Sequence, residues 1–158
     1  MFAVEERSVL AAGAAEVWRA ATTWEGIEGE LRPLLRMTTP RGGPLDLAAV
    51  EPPARLGRSW LLLFGVLPID ADDIGILSID DSGPAAGVRE RAQMRALRRW
   101  HLDREVSPAG EGRCTVIDRV AFEPRVPGTG AVLLAVVRAL FRHRHRRLRR
   151  RWGALQGR

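Results

Sequence analysis

Three charged residues interrupt rows that are otherwise apolar. Residues two apart on a strand share a face. Val116, Asp118, Val120 and Phe122 make one such row, Trp100, Leu102, Arg104 and Val106 a second, and Val88, Glu90, Ala92 and Met94 a third. Rows of this composition face inward, and each holds one charge: Glu90, Arg104 or Asp118. A lone buried charge costs several kcal/mol, so these three must be paired. Two chemistries fit. They are polar anchors on a cavity floor, holding a ligand's hydroxyl or carboxylate, or they form a structural acid–Arg–acid bridge. A general acid or base role is the weaker reading.

The elements that position them are legible in outline. Phe2–Leu10 alternates as a strand, and Ala14–Thr22 and Trp24–Leu35 have helical spacing. Arg36–Pro40 suits a short strand. Arg41–Arg55, rich in proline and glycine, reads as loop with an edge segment around Leu45–Val50. A meander follows: Arg58–Gly65, Asp72–Asp80, Val88–Met94, Leu97–Val106 and Arg113–Phe122. Connections this short imply antiparallel neighbours. The even-numbered rows of the two middle strands add Trp60, Leu62, Ile74 and Ile76 to an inner lining that already contains Val88, Trp100, Leu102, Val116 and Val120. Leu61 and Leu63 then face out, beneath the first helices or the proline-rich loop, or at a partner surface.

The last element is one helix, Thr129–Trp152. At about 100° per residue, Leu133, Val137, Leu140, Phe141, Leu148 and Trp152 fall within roughly a third of its circumference. Val137 and Phe141 complete the lining. Arg144 lies within this stripe. It either snorkels to solvent, pairs with an inward acid such as Asp118, or faces a ligand at the pocket mouth. The arginines at 138, 142, 146, 149 and 150 lie on the opposite side.

Charge is unevenly placed. From Met1 to Val137 there are 16 arginines and 19 acids; from Arg138 onward there are nine arginines and no acid. The outward arginines have three readings: a solvated face suited to a helix C-terminus, weak contact with an anionic membrane surface, and phosphate binding. Nucleic acid ranks last because no aromatic residues interleave the arginines for base stacking.

Other chemistry is disfavoured. His143 and His145 are about 200° apart on a helix, and His101 stands alone on a strand, so no metal site is expected. No nucleophile-plus-base motif, P-loop or dinucleotide fingerprint is present, and no cofactor or catalytic residue is assigned. The single cysteine, Cys114, an acidic N-terminus and short apolar runs together predict a cytoplasmic protein.

The order of strand, two short helices, about six strands and a long helix resembles the START-like helix-grip superfamily (SRPBCC), which includes polyketide cyclases and lipid-transfer domains. The similarity is closest to uncharacterised bacterial members. Three local patterns carry it: Ala-Ala-Glu-Val-Trp in the first helix, Arg-Trp-His before the strand Asp118–Phe122, and the Phe141–Leu148 run of the last helix. The resemblance implies a single α+β domain over residues 1–158, with a curved antiparallel sheet of about seven strands gripping the C-terminal helix around an apolar cavity. The expected function is binding of an apolar or amphipathic small molecule. A polyketide cyclase or dehydratase on the same scaffold, or a surface binder of anionic lipid or nucleic acid, are the alternatives.

Overall fold

The computed structural model describes residues 1–40 and 46–155. Alternation over Phe2–Leu10 becomes β1, with Val4, Ser8 and Leu10 turned inward and buried. Helices α1 (Ala14–Ala21) and α2 (Trp24–Leu31) follow. Thr23 caps α2 by accepting a hydrogen bond from the Gly26 N–H at 3.1 Å. This helix stops before the expected Leu35 because the residue preceding Pro33 is driven out of helical geometry: Arg32 has ψ 151°. The chain then forms β2 (Leu35–Met37). A single 3-10 turn, Leu47–Ala49, occupies the described part of the expected edge segment; Arg41–Leu45 lies outside the described residues.

The meander comprises β3 (Ala54–Leu63), β4 (Leu67–Asp80), β5 (Ala86–Met94), β6 (Leu97–Pro108) and β7 (Cys114–Pro124). All neighbours pair antiparallel in one seven-stranded sheet of order β1-β7-β6-β5-β4-β3-β2. The sheet curls around α3 (Gly130–Trp152), which lies mainly against β1. This is the α+β helix-grip architecture.

The space between α3 and the β1-β7-β6 side is closely packed. Trp100 lies 6.4 Å from Phe122 and 6.2 Å from Phe141, centroid to centroid, and Val4, Ala92 of β5, Leu97, Leu102, Val120 and Val137 complete that cluster. Met94 and Leu140 pack at its edge. Leu10, Val106, Val116 and Leu148 form a second, beneath the C-terminal half of α3.

One predicted row is inverted. The even-numbered row places Trp60 and Leu62 inward, but the buried residues of β3 are Ser59 and Leu61. Trp60 is 39% exposed, with the Arg95 guanidinium 5.5 Å from its ring, and Leu62 is half-buried outside the core clusters. Leu61, expected outside, packs with Leu31 and Leu35. The segment is apolar on both faces, so alternation cannot fix its phase. Irregularities in the pairing of β3 with β4, between Arg55 and Gly57 and between Leu61 and Leu62, break any simple count along the strand.

Candidate functional site

The sheet register brings Arg104 and Asp118 directly opposite each other on β6 and β7. Arg104 Nε donates to Asp118 Oδ1 and its Nη2 to Oδ2, both at 2.6 Å, a two-pronged fit of guanidinium to carboxylate. The third member of the bridge is not Glu90. Arg104 lies opposite Val88, while Glu90 lies opposite Leu102. Glu30, from α2, takes the remaining Arg104 nitrogen at 2.8 Å.

Glu30 also settles where Arg144 goes. Arg144 Nη2 and Nε donate to Glu30 Oε2 at 2.9 and 3.2 Å, so this arginine neither snorkels nor bonds Asp118. Its guanidinium stacks 5.1 Å over Phe141, one turn earlier on α3. Within this cluster the charges thus balance as two arginines and two acids. Burial alone would raise the pKa of Asp118, but the charge and hydrogen bonds of Arg104 and the His145 contact hold it well below the usual carboxylate range.

Sequence reasoning missed a further branch. His145 is fully buried, its Nε2 3.2 Å from Asp118 Oδ2 and its Nδ1 2.8 Å from Ser8 Oγ. Arg149 Nη1 donates to the same Ser8 oxygen at 2.8 Å. With His145 as its Nε2–H tautomer, donors run one way: Arg149 to Ser8, Ser8 to His145 and His145 to Asp118. Arg149 is therefore drawn inward rather than left on the outer face. Serine, histidine and aspartate in a line suggest a nucleophile relay. Here the serine is 4% exposed and its aspartate is committed to Arg104, so no substrate carbonyl can approach. The line is a structural cross-tie between β1, β7 and α3.

The middle of the concave face is built differently. Ile74 and Ile76 are buried, with Trp24 and Leu47. Val88, Glu90 and Met94 on the inner row of β5 are only half-buried, as are Ile27, Met37 and Leu140, which pack around the same region. Burial raises the Glu90 pKa, opposed by the charges of Arg144 and Arg104 and assisted by that of Asp118. A second acid, unnoticed in the sequence, stands nearby on the inner row of β4. Asp72 is 2% exposed, and its Oδ1 has no hydrogen-bond partner among the described residues. Burial, then the charges of Glu90, Asp70 and Asp73, push it up to about 8.

Among the described residues, no group of three His, Cys, Asp or Glu side chains converges as a metal site. No helix is long and apolar enough to cross a membrane.

The family described as Domain of unknown function (DUF8410) matches residues 8–152. The chain belongs to that family. No curated protein sequence matches it. Among solved structures, this DUF8410 chain is similar to a START superfamily protein from Mycobacterium smegmatis, at 12% identity and TM-score 0.69, covering 95% of this chain and 96% of the other. It is similar to protein CV1439 from Chromobacterium violaceum, at 12% identity and TM-score 0.68, covering 98% and 100%. It is also similar to the Zhui aromatase/cyclase from Streptomyces sp. R1128, at 14% identity and TM-score 0.66, covering 93% and 90%. At these identities the likeness establishes the START-like helix-grip fold of the DUF8410 chain and nothing finer.

Proposed function

We propose that this protein is a single-domain, cytoplasmic binder of a small apolar or amphipathic molecule, held against β4 and β5 beneath α2 and the middle of α3. One contrast carries this reading. The concave face beneath the N-terminal half of α3 is closed by fully buried aromatic and aliphatic side chains. Toward β5 the inner residues Val88 and Met94, and Leu140 of α3, keep accessible surface. Of the residues expected to line a cavity, Ile74, Ile76 and Val88 border this region, whereas Trp100, Leu102, Val120, Val137 and Phe141 belong to the packed side. Apolar walls with few polar groups are the usual composition of a small-molecule site. The fold's occurrence in a START superfamily protein and an aromatase/cyclase supports a binding scaffold.

Native mass spectrometry of freshly purified protein tests the proposal. The expected result is retention or uptake of one apolar molecule per chain, lost in Val88→Trp, which adds bulk to this face. A wild type that takes up no apolar compound overturns it.

A further inference from the structure

The interior contains five acids and two arginines whose bonds decide what polar group a guest can bring. One of the acids, Asp70, is occupied by the Ala71, Arg95 and Ala96 N–H groups. Both arginines are ion-paired within the protein, Arg104 with Asp118 and Glu30 through all three of its nitrogens and Arg144 with Glu30 through Nε and Nη2. A ligand carboxylate entering here meets guanidinium groups already neutralised by protein. The acids left over are Asp72 and Glu90. Asp72 Oδ1 is buried without a hydrogen-bond partner among the described residues, between Ser59 and Met94 in the pairing register. The neighbouring Ser59 hydroxyl cannot serve it, since it donates to the Thr38 carbonyl at 2.6 Å. Glu90 forms no ion pair or side-chain hydrogen bond among the described residues.

We infer that the site selects a guest carrying a positively charged nitrogen, a primary amine on an apolar body, with Asp72 and Glu90 as its acceptors. This rests on the binding function proposed above and names its ligand class. An ammonium group offers donors to Glu90 and to the unpaired Asp72 Oδ1 and a positive charge that favours both carboxylates, and each such hydrogen bond is stronger than one between neutral groups. The opposite preference, for a carboxylic acid, would add a further negative group to a region where Glu90, Asp70 and Asp73 already oppose ionisation of Asp72.

Binding then moves a proton. Near neutral pH Asp72 holds its proton, because burial and those three acids raise its pKa to about 8. The incoming ammonium keeps its own protons and stabilises the carboxylate, so the Asp72 proton leaves to the buffer. No other bond forms or breaks.

Octylamine, octanol and octanoate share one tail and differ only in the head group, so calorimetry with the three at pH 7 separates the possibilities. Octylamine is expected to bind at least about tenfold more tightly than octanoate, the worth of one charge-assisted hydrogen bond. Its heat, compared in buffers of different ionisation enthalpy, is expected to show proton release. Asp72→Asn and Glu90→Gln, which keep shape and remove charge, are each expected to weaken octylamine about tenfold, leave octanol within about twofold, and in Asp72→Asn abolish the release. Octanoate binding as tightly as octylamine, or a preference for the amine that survives both substitutions, overturns the inference while leaving the binding function standing. Failure of all three compounds to bind overturns both.

Discussion

Glu30 on α2 and Arg104 on β6 are joined by a 2.8 Å hydrogen bond across 74 residues of sequence. Through this bond the first helices become part of the sheet's charged centre, because the same carboxylate also holds Arg144 of α3. One acid therefore ties together three elements that share no backbone hydrogen bonds.

Replacing Glu30 by Gln leaves buried Arg144 on a neutral amide and Arg104 with Asp118 as its one carboxylate partner. The expected cost is about 3–5 kcal/mol, the usual penalty for breaking a buried pair on one side only. Urea unfolding measures it. Glu5→Gln, which loosens the exposed 3.2 Å pair with Arg119, serves as control and is expected to cost less than about 1 kcal/mol.

His145→Leu removes the partner of both Ser8 and Asp118. A loss of about 1–3 kcal/mol is expected, the cost of leaving buried polar groups unpaired. Thermal unfolding checks it, and a variant as stable as the parent would show that the histidine bonds contribute nothing.

Stability should depend on pH through Asp72. Its folded pKa, about 8, lies above the ordinary 3.8, so the folded state holds this proton more tightly than the unfolded chain does. The stabilisation is complete below about pH 4 and is lost as pH rises toward 8, at up to about 1.4 kcal/mol per unit. Glu90, also raised, acts in the same direction. Unfolding free energies measured from pH 5 to 8 should fall, and Asp72→Asn should flatten the slope. An unchanged slope in that variant would exclude Asp72 as its source.

Gly26→Ala tests the seat of Glu30. A Cβ at Gly26 would clash with the Ala20 carbonyl oxygen, so α1 and α2 must separate to admit it. Overpacking of this kind costs about 1–3 kcal/mol. The displacement should also reach the Arg104–Glu30 bond, visible as a shifted Arg104 side-chain N–H resonance.

Phe64, by contrast, is placed at a cost. It has φ 51° at the tip of the β3–β4 hairpin and is 66% exposed. Phe64→Gly is expected to stabilise the protein by about 1 kcal/mol, since glycine adopts this conformation freely. A melting curve decides.

The strands were legible where polarity alternates. Phe2–Leu10 matches residue for residue, and the rows containing Arg104 and Asp118 face inward as their neighbours require. β3 was not legible, because Ser-Trp-Leu-Leu-Leu-Phe offers no polar face to set its phase. Glu30 and His145 were hidden for another reason. Glu30 sits on an eight-residue helix among other acids, where a solvated surface is the ordinary reading. His145 lies between Arg144 and Arg146, and its sequence neighbours gave no sign of its full burial. Asp72 opens a run of two acids that resembles a polar strand start. For Glu30 and His145 the decisive partner is distant in sequence, as Ser8 is from His145, and local patterning carries no trace of it.

The position of α3 in the chain bears on biogenesis. Arg144 and His145 are synthesised after every strand they neutralise or bond. While the ribosome is still making α3, Glu30 and Asp118 have only Arg104 between them, and the concave face of a nearly complete sheet is uncovered. A nascent chain at that stage exposes both apolar surface and a charge imbalance, the conditions that invite chaperone binding or aggregation. Docking of α3 onto the sheet relieves both at once, because it brings Arg144 to Glu30 and His145 to Asp118 in the same step.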